Sequence, residues 1–385
     1  MGQERTESVR AVGGFGRWPA IVLSVIAVLA LAAPAAARAA SDGDGGPKVT
    51  VMTRNIFLGA DLGPALSATT LDGAIDGSGV ILNEVDQTNF PERAVPLARE
   101  IKRSKPDLVG LQEVALWRQQ IPSDLPPEFG GTPATDVRYD FLALLLEELQ
   151  ATGANYRVVE VQQEFDQELP ADLDGSNATG GLFGAELDGR LTMRDVILAR
   201  KGTKVKTGAT DGAHFSTLFV PLVGGTIPIP VERGWVATEV RAAGTAFRFV
   251  NTHLEAFGPD TIREAQAKEL FAPGGPLDTN KQVILVGDIN SGTEARHNIH
   301  GTDQLAFQAL LDFGVTDNGA IQSCCYSDLF DETQVFDHTV DHVLTKPALE
   351  TRNAFVTGND PAAITPSGLW PSDHGGVVSR LELNE

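Results

Sequence analysis

Cysteine is almost absent from this chain. Its 385 residues hold two, and they are neighbours, Cys324-Cys325. That excludes a scaffold stapled by several disulfides. Cα atoms across a trans peptide lie ~3.8 Å apart, below the roughly 4.4–6.8 Å usual for a disulfide. A bridge between neighbours is therefore strained, and two states stay open: a vicinal disulfide, favoured in an oxidising compartment, or two thiols, one of them buried. Basic residues are also few, 30 Lys and Arg against 51 Asp and Glu, for a formal charge of −21. Such a surface repels polyanions and argues against a non-specific nucleic-acid coat. It leaves room for a nuclease, because a bound divalent cation dominates its local field. Apolar runs long enough to span a bilayer are missing: the longest, Ala20 to Ala33, has 14 residues, against the ~20 a spanning helix needs. No Gly-x-Ser-x-Gly elbow and no His-Glu-x-x-His pair occurs, which disfavours a serine hydrolase and a zinc protease. No internal repeat is present.

The amino terminus has the layout of a secretory signal. Arg5, Arg10 and Arg17 precede the apolar run, and Ala37-Arg38-Ala39 is a small-x-small cleavage site before a polar stretch at Ser41. Residues 1–39 are expected to be removed and the product exported. Their loss takes away four basic residues (Arg5, Arg10, Arg17, Arg38) and two acidic ones (Glu4, Glu7), so −21 becomes −23. No linker follows, and residues 48–385 read as one catalytic domain.

Short β-branched runs mark strands at Val49–Met52, Leu108–Leu111, Tyr156–Val161, Arg194–Ala199, Trp235–Val240, Phe247–Val250, Val283–Val286, Thr339–Leu344 and Val377–Leu383, with a short one at Phe355-Val356. Helical spacing covers 93–102, 141–149, 262–270 and 304–311. Stretches 60–90, 118–138 and 164–192, rich in Gly, Asp or Pro, read as loops. Residues 215–231 read as an apolar hairpin, buried by preference, with a lipid-touching role as its alternative. Strands outnumber helices, and helices fall singly between strand pairs. That pattern suits two packed mixed sheets flanked by helices.

Five polar bursts follow apolar runs or turns: Thr53-Arg54-Asn55, Leu111-Gln112-Glu113, Asn251-Thr252-His253-Leu254-Glu255, Gly287-Asp288-Ile289-Asn290 and Ser372-Asp373-His374. Together they supply the residue types that hold a hard cation and move protons at a phosphate ester. Each alone has a plain structural reading: an Asp/Asn turn, a satisfied histidine, a loop contact. Asp288 and Asn290 lie two residues apart at a strand end and share a face. Asp341 lies in the strand-like run Thr339-Val340-Asp341-His342-Val343-Leu344, where a carboxylate needs a partner, and an imidazole is a natural one. His342 reads as structural. Glu255, two residues past His253, is placed to orient it.

As an ordered set, Asn, Glu, His, Asp-x-Asn, Asp and Asp-His resemble the endonuclease/exonuclease/phosphatase superfamily, from about Val49 to Leu383. The resemblance implies an α/β fold, a four-layer α/β/β/α sandwich, and metal-dependent phosphoester hydrolysis by in-line attack of an activated water. By position it implies Glu113 as metal ligand assisted by Asn55 and Asp373. Asp288 and Asn290 would activate and orient water, His253 and His374 would face the scissile phosphate, and Asp341 would pair with His374. Arg194-Asp195 sits where some relatives contact phosphate. The implied ion is Mg²⁺, with Mn²⁺ or Ca²⁺ as alternatives. The implied partner is a phosphoester: nucleic acid, phospholipid or small phosphorylated metabolite, with no stable protein partner. The family's Tyr-containing strand motif before the first His is not evident, and the three loops match nothing in it. Two other readings stay open: a lipid-directed phospholipase C resembling sphingomyelinases, and a non-catalytic surface-binding protein on a retired hydrolase fold.

Overall fold

The computed structural model describes residues 46–177, 180–293 and 304–384. The expected export signal at 1–39 lies outside them. In chain order the strands are β1 (Lys48–Asn55), β2 (Leu108–Gln112), β3 (Leu116–Gln120), β4 (Asp136–Asp140), β5 (Tyr156–Ala171), β6 (Leu187–Arg200), β7 (Val205–His214), β8 (Leu222–Val223), β9 (Ile227–Pro228), β10 (Gly234–Ala242), β11 (Thr245–His253), β12 (Gln282–Asp288), β13 (Thr316–Asp317), β14 (Asp341–Lys346), β15 (Glu350–Thr357) and β16 (Gly376–Glu382). The helices are α1 (Gly63–Leu66), α2 (Leu71–Gln87), α3 (Phe90–Ser104), α4 (Phe141–Ala151), α5 (Asp260–Phe271) and α6 (Leu305–Phe313). All described residues belong to one compact unit. No helix among them is long and apolar enough to cross a membrane.

Side-chain alternation explains the layering. In β12, Val283 and Leu285 face α5 and α6, where they meet Ala267, Leu270, Phe307 and Leu310. The intervening Ile284 and Val286 face the other sheet, packing with Val49, Val51, Leu108 and Ile197. On that sheet Met52, Val109 and Leu111 point the opposite way, onto Ile81, Leu97 and Leu145 of α2, α3 and α4. A strand buried on both faces reads as continuous apolar sequence, which is why these runs stand out. The result is four layers, α/β/β/α.

One sheet has the order β15-β16-β1-β2-β6-β3-β4, with β5 also on β6; the other has the order β13-β14-β12-β11-β10-β7. Each contains one parallel pair, β1 with β2 and β11 with β12, among antiparallel neighbours. These parallel pairs set the site. Asn55 lies opposite Gln112, one residue before Glu113, and His253 lies opposite Asp288. Antiparallel β14 then brings Asp341 opposite Asp288. Four polar bursts thus converge at one end of the sandwich.

Four expectations need correction. The stretch 60–90 is not a loop but contains α1 and the 17-residue α2. Its buried face is Ala74, Ile75, Ile81, Leu82 and Val85, and Thr70 caps it by accepting from the Gly73 amide at 3.1 Å. Its glycines hid it, yet two are required. A Cβ on Gly77 would sit 2.5 Å from Pro64 O, and one on Gly79 would sit 1.7 Å from Asp172 O. Second, 164–192 is strand at both ends, because β5 runs on to Ala171 and β6 starts at Leu187. Third, Asp341 is the first residue of β14 rather than a mid-strand residue. The hairpin at 215–231 shrinks to the two-residue strands β8 and β9.

Candidate active site

Asp288 is the centre of the converging groups and is 1 % exposed. Its Oδ1 accepts from the Asn290 amide at 2.9 Å and its Oδ2 accepts from Asn55 Nδ2 at 3.1 Å. The Nε2 atoms of His253 and His374 both lie 3.6 Å from that Oδ2. Burial pushes the Asp288 carboxyl up to about 7, the His374 charge holds it down, and Asp341 pushes it up.

The two histidines are set differently. His374 Nδ1 lies 2.9 Å from Asp341 Oδ2, which also accepts from Ser323 Oγ at 2.7 Å. Burial alone would lower the His374 pKa, but Asp341, Asp288 and Asp373 together raise it well above the usual histidine value. An imidazolium is favoured there. At His253 the partner is a cation: Arg233 Nη1 lies 3.0 Å from Nδ1. A guanidinium only donates, so Nδ1 accepts, and Nε2 lies 3.1 Å from Asn290 Nδ2, which donates to Leu254 O at 2.9 Å. Burial, then the charges of Arg233 and His374, push the His253 pKa well below the usual value. His253 is held neutral and His374 charged. Glu255 does not touch His253; it lies 3.7 Å from Arg233 Nε and accepts from the Phe257 amide at 3.0 Å.

Glu113 and Asn290 both have positive φ, 58° and 50°. Such backbone is uncommon outside glycine, with Asn more tolerant than Glu; strain of about 1–3 kcal/mol per residue is typical of functional positions. It turns the Glu113 side chain off the end of β2 toward a cavity of about 700 Å³, lined also by Asp373, Arg233, Phe57, Phe257 and Tyr326. Glu113 Oε2 accepts from the Leu58 amide at 2.8 Å, and Oε1 lies 4.0 Å from His253 Nε2. Burial pushes the Asp373 carboxyl up to about 6; His374 opposes this and the Glu113 charge adds to it. Two carboxylates that repel each other across a solvent-reaching cavity fit a hard divalent cation. Asn55 fits that role less well: Nδ2 goes to Asp288 and Oδ1 accepts from the Phe57 amide at 2.9 Å. The donor atoms of Asp288, Asp341 and His374 also lie within 4.8 Å of one another.

Two expected substrate contacts are not placed for that work. Arg194 donates to the carbonyls of Val114 and Ala115 at 2.9 and 3.1 Å and to Asp140 Oδ1 at 2.6 Å. It secures the turn after Glu113. Asp195 is fully buried, and neither carboxylate oxygen has a hydrogen-bond partner among the described residues. Burial pushes it up to about 8; Arg233 opposes this, and Glu113 and Asp288 add to it. His342 is structural, held by Asp317 Oδ2 and Ser291 O at 2.9 Å each and stacked on Phe307.

Three buried arginines escaped the sequence reading. Arg233 is one. Arg54 donates to the carbonyls of His374 and Asn55 and lies 3.2 Å from Glu100 Oε2. Arg93, from α3, donates to the carbonyls of Ile56, Phe57, Thr88 and Pro371 at 2.7–3.1 Å. The last two tie the Asn55 turn to the Asp373-His374 loop. Arg54 was visible inside a polar burst. Arg233 has one signal, its place at the start of the strand that pairs with the one ending at His253.

The Endonuclease/Exonuclease/phosphatase family model matches residues 77–374. Among solved structures, an endonuclease/exonuclease/phosphatase family protein from Bacteroides thetaiotaomicron superposes with a TM-score of 0.51 at 16 % identity, covering 88 % of this chain and 99 % of that one. A mannosyl-6-phosphatase from the same species has a TM-score of 0.49 at 16 % identity, covering 86 % and 99 %. D. rerio TDP2 complexed with a single-strand DNA product has a TM-score of 0.47 at 16 % identity, covering 87 % and 99 %. No curated protein matches the sequence.

Proposed function

The chain belongs to the endonuclease/exonuclease/phosphatase family, and from that premise we propose that it is a divalent-metal-dependent phosphoester hydrolase acting on a small phosphorylated substrate. One observation carries the reading: Asp288 Oδ2 stands 3.6 Å from two histidine Nε2 atoms, one of them held by an aspartate and the other by an arginine. In this reading Asp288 takes the proton of the attacking water. Asn55 and Asn290 fix its two oxygens, and a carboxyl near 7 is a stronger base than an ordinary one while still ionised above that pH. His374, with Nδ1–H given to Asp341, presents a charged Nε2–H to the phosphoryl oxygens. Glu113 and Asp373 would hold a divalent cation, which would supply Lewis-acid neutralisation of the phosphate charge.

Cavity size and charge support a small substrate. About 700 Å³ suits a single small molecule. The wall carries Asp61, Glu84 and Asp328 beside the chemistry, which disfavours a long polyanion. Export follows from residues 1–39 and is part of the same proposal. A lipid-directed reading has one observation in its favour: Leu71, Phe129 and Leu182 are exposed around an apolar cavity of about 190 Å³.

The test is a substrate panel of bis-nitrophenyl phosphate, sugar phosphates, plasmid DNA, RNA and sphingomyelin vesicles, run in chelator and with Mg²⁺ or Mn²⁺ restored. Hydrolysis of small esters only with metal is expected. Preferred cleavage of vesicles would move the assignment to the lipid-directed reading, and preferred cleavage of DNA or RNA would overturn the small-substrate part.

A further inference from the structure

Cys324 and Cys325 place two sulfurs beside the reacting groups, and nothing in the hydrolytic scheme uses them. They close the base of the loop 326–336, whose ends are clasped by backbone hydrogen bonds. The Ser323 and Cys324 amides donate to His338 O at 3.0 and 3.1 Å, and the Asp337 and His338 amides donate to Cys324 O at 2.9 and 3.1 Å. The clasp sets His338 against the sulfurs: its Nε2 is 3.4 Å from Cys325 Sγ, while its Nδ1 lies 2.6 Å from Asp337 Oδ1. From the other side His374 Nε2 lies 3.6 Å from Cys324 Sγ and 4.0 Å from Cys325 Sγ. Cys324 and His338 are 1 % and 4 % exposed. The two cysteines are joined as a disulfide across a cis peptide.

Sulfur and imidazole nitrogen facing one point are the donors of a thiophilic cation. The donor atoms of Cys324, Cys325 and His338 lie within 4.8 Å of one another. Asp337 adds what such sites carry behind the ligand: a carboxylate on the far ring nitrogen, which fixes the tautomer whose Nε2 lone pair faces the metal. This donor set is distinct from the oxygen set of Glu113 and Asp373. The two would select different ions.

We propose that reduction of the Cys324–Cys325 disulfide creates a binding site for a thiophilic divalent cation of the Zn²⁺ type, built from both sulfurs and His338, with His374 Nε2 as fourth donor. A dithiol reductant transfers two electrons and two protons, breaks the S–S bond and becomes a disulfide itself. Cation binding then releases the two thiol protons and the Nε2 proton of His374 as two sulfur–metal bonds and the imidazole–metal bonds form. The oxidised pair has no thiolate to offer. A cation at this site occupies His374, which also faces Asp288, so reduced, loaded protein loses hydrolysis; that consequence, unlike the site, rests on the function proposed above.

Co²⁺ is the probe, titrated into the full chain before and after reduction. Reduced protein is expected to bind one equivalent with a thiolate-to-cobalt charge-transfer band in the near ultraviolet, displaced by Zn²⁺. Co²⁺ at the oxygen site gives no such band, so the two sites are read separately whether or not the hydrolase assignment stands. The band should be absent from oxidised protein and from C324S and C325S, and H338Q, which removes a ligand, should weaken binding by more than the roughly 10–100-fold that loss of an outer partner costs. The comparison of oxidised with reduced wild type needs no variant to fold. No band on reduction, or a band that survives in C324S and C325S, would overturn the site. An H374Q chain that binds Co²⁺ as tightly as wild type would remove His374 from it.

Discussion

Asp341 and His374 behave as one unit. Their contact of 2.9 Å and the surrounding carboxylates keep the imidazole charged. A group that must be protonated loses its effect as pH rises through its pKa. Asp341→Asn removes part of what raises that pKa, so the alkaline limb of the pH–rate profile should move to lower pH, and the rate should fall on the order of 10²-fold. In a His374→Ala background the shift should vanish. Asp195 offers a stability test. Its folded pKa, near 8, lies above the unfolded value of about 3.9. The folded state therefore binds the extra proton, and the contribution of Asp195 to stability is lost as pH rises from about 4 to 8. Asp195→Asn should raise the urea midpoint at pH 8 relative to wild type and leave it nearly unchanged at pH 4. At this scale the sequence showed the carboxylates, amides and histidines, because they cluster in short bursts. It did not show Arg233 or Arg93, which are single arginines whose meaning comes from strands and loops distant in sequence. It also misplaced Arg194 and Asp195, because adjacent residues on a strand point to opposite faces and neither face was the cavity.

Register is what gathers the site from five separate segments, and it depends on close contact between the sheets. Gly110 in β2 is a point where that contact allows no side chain: an added Cβ would sit 2.5 Å from Asn251 Oδ1 and from Val286 Cγ2. Asn251 itself joins the sheets, donating to Leu111 O at 2.9 Å and lying 2.6 Å from Gln112 Nε2. Gly110→Val should cost about 1–3 kcal/mol in urea unfolding. It should also reduce activity, because Gln112 and Glu113 follow directly. The strands that carry the site were legible as apolar runs because they are buried on both faces. Helix α2 was not, since two of its glycines answer to close backbone contacts rather than to helix propensity. The extension of β5 past Val161 was hidden by its mixed burial, with only some of its residues facing the core.

Over the whole chain, charge and targeting frame the activity. With residues 1–39 removed the net charge is −23, so attraction for an anionic substrate must come from the site and its bound cation. N-terminal sequencing of secreted protein should begin near Ala40 or Ser41; a species starting at Met1 in the membrane fraction would contradict export. The central claim, that Asp288 and its histidines hydrolyse a phosphoester with a cation held by Glu113 and Asp373, is tested most directly by add-back of Mg²⁺. Metal-stripped protein is assayed on bis-nitrophenyl phosphate as Mg²⁺ is restored, with Glu113→Gln and Asp288→Asn beside wild type. The stripped chain should be inactive and recover saturably. Glu113→Gln should need more Mg²⁺ to reach half its maximal rate, and Asp288→Asn should stay about 10²–10⁴-fold slower at saturation. Full activity in chelator, or an Asp288→Asn chain as fast as wild type, would contradict it.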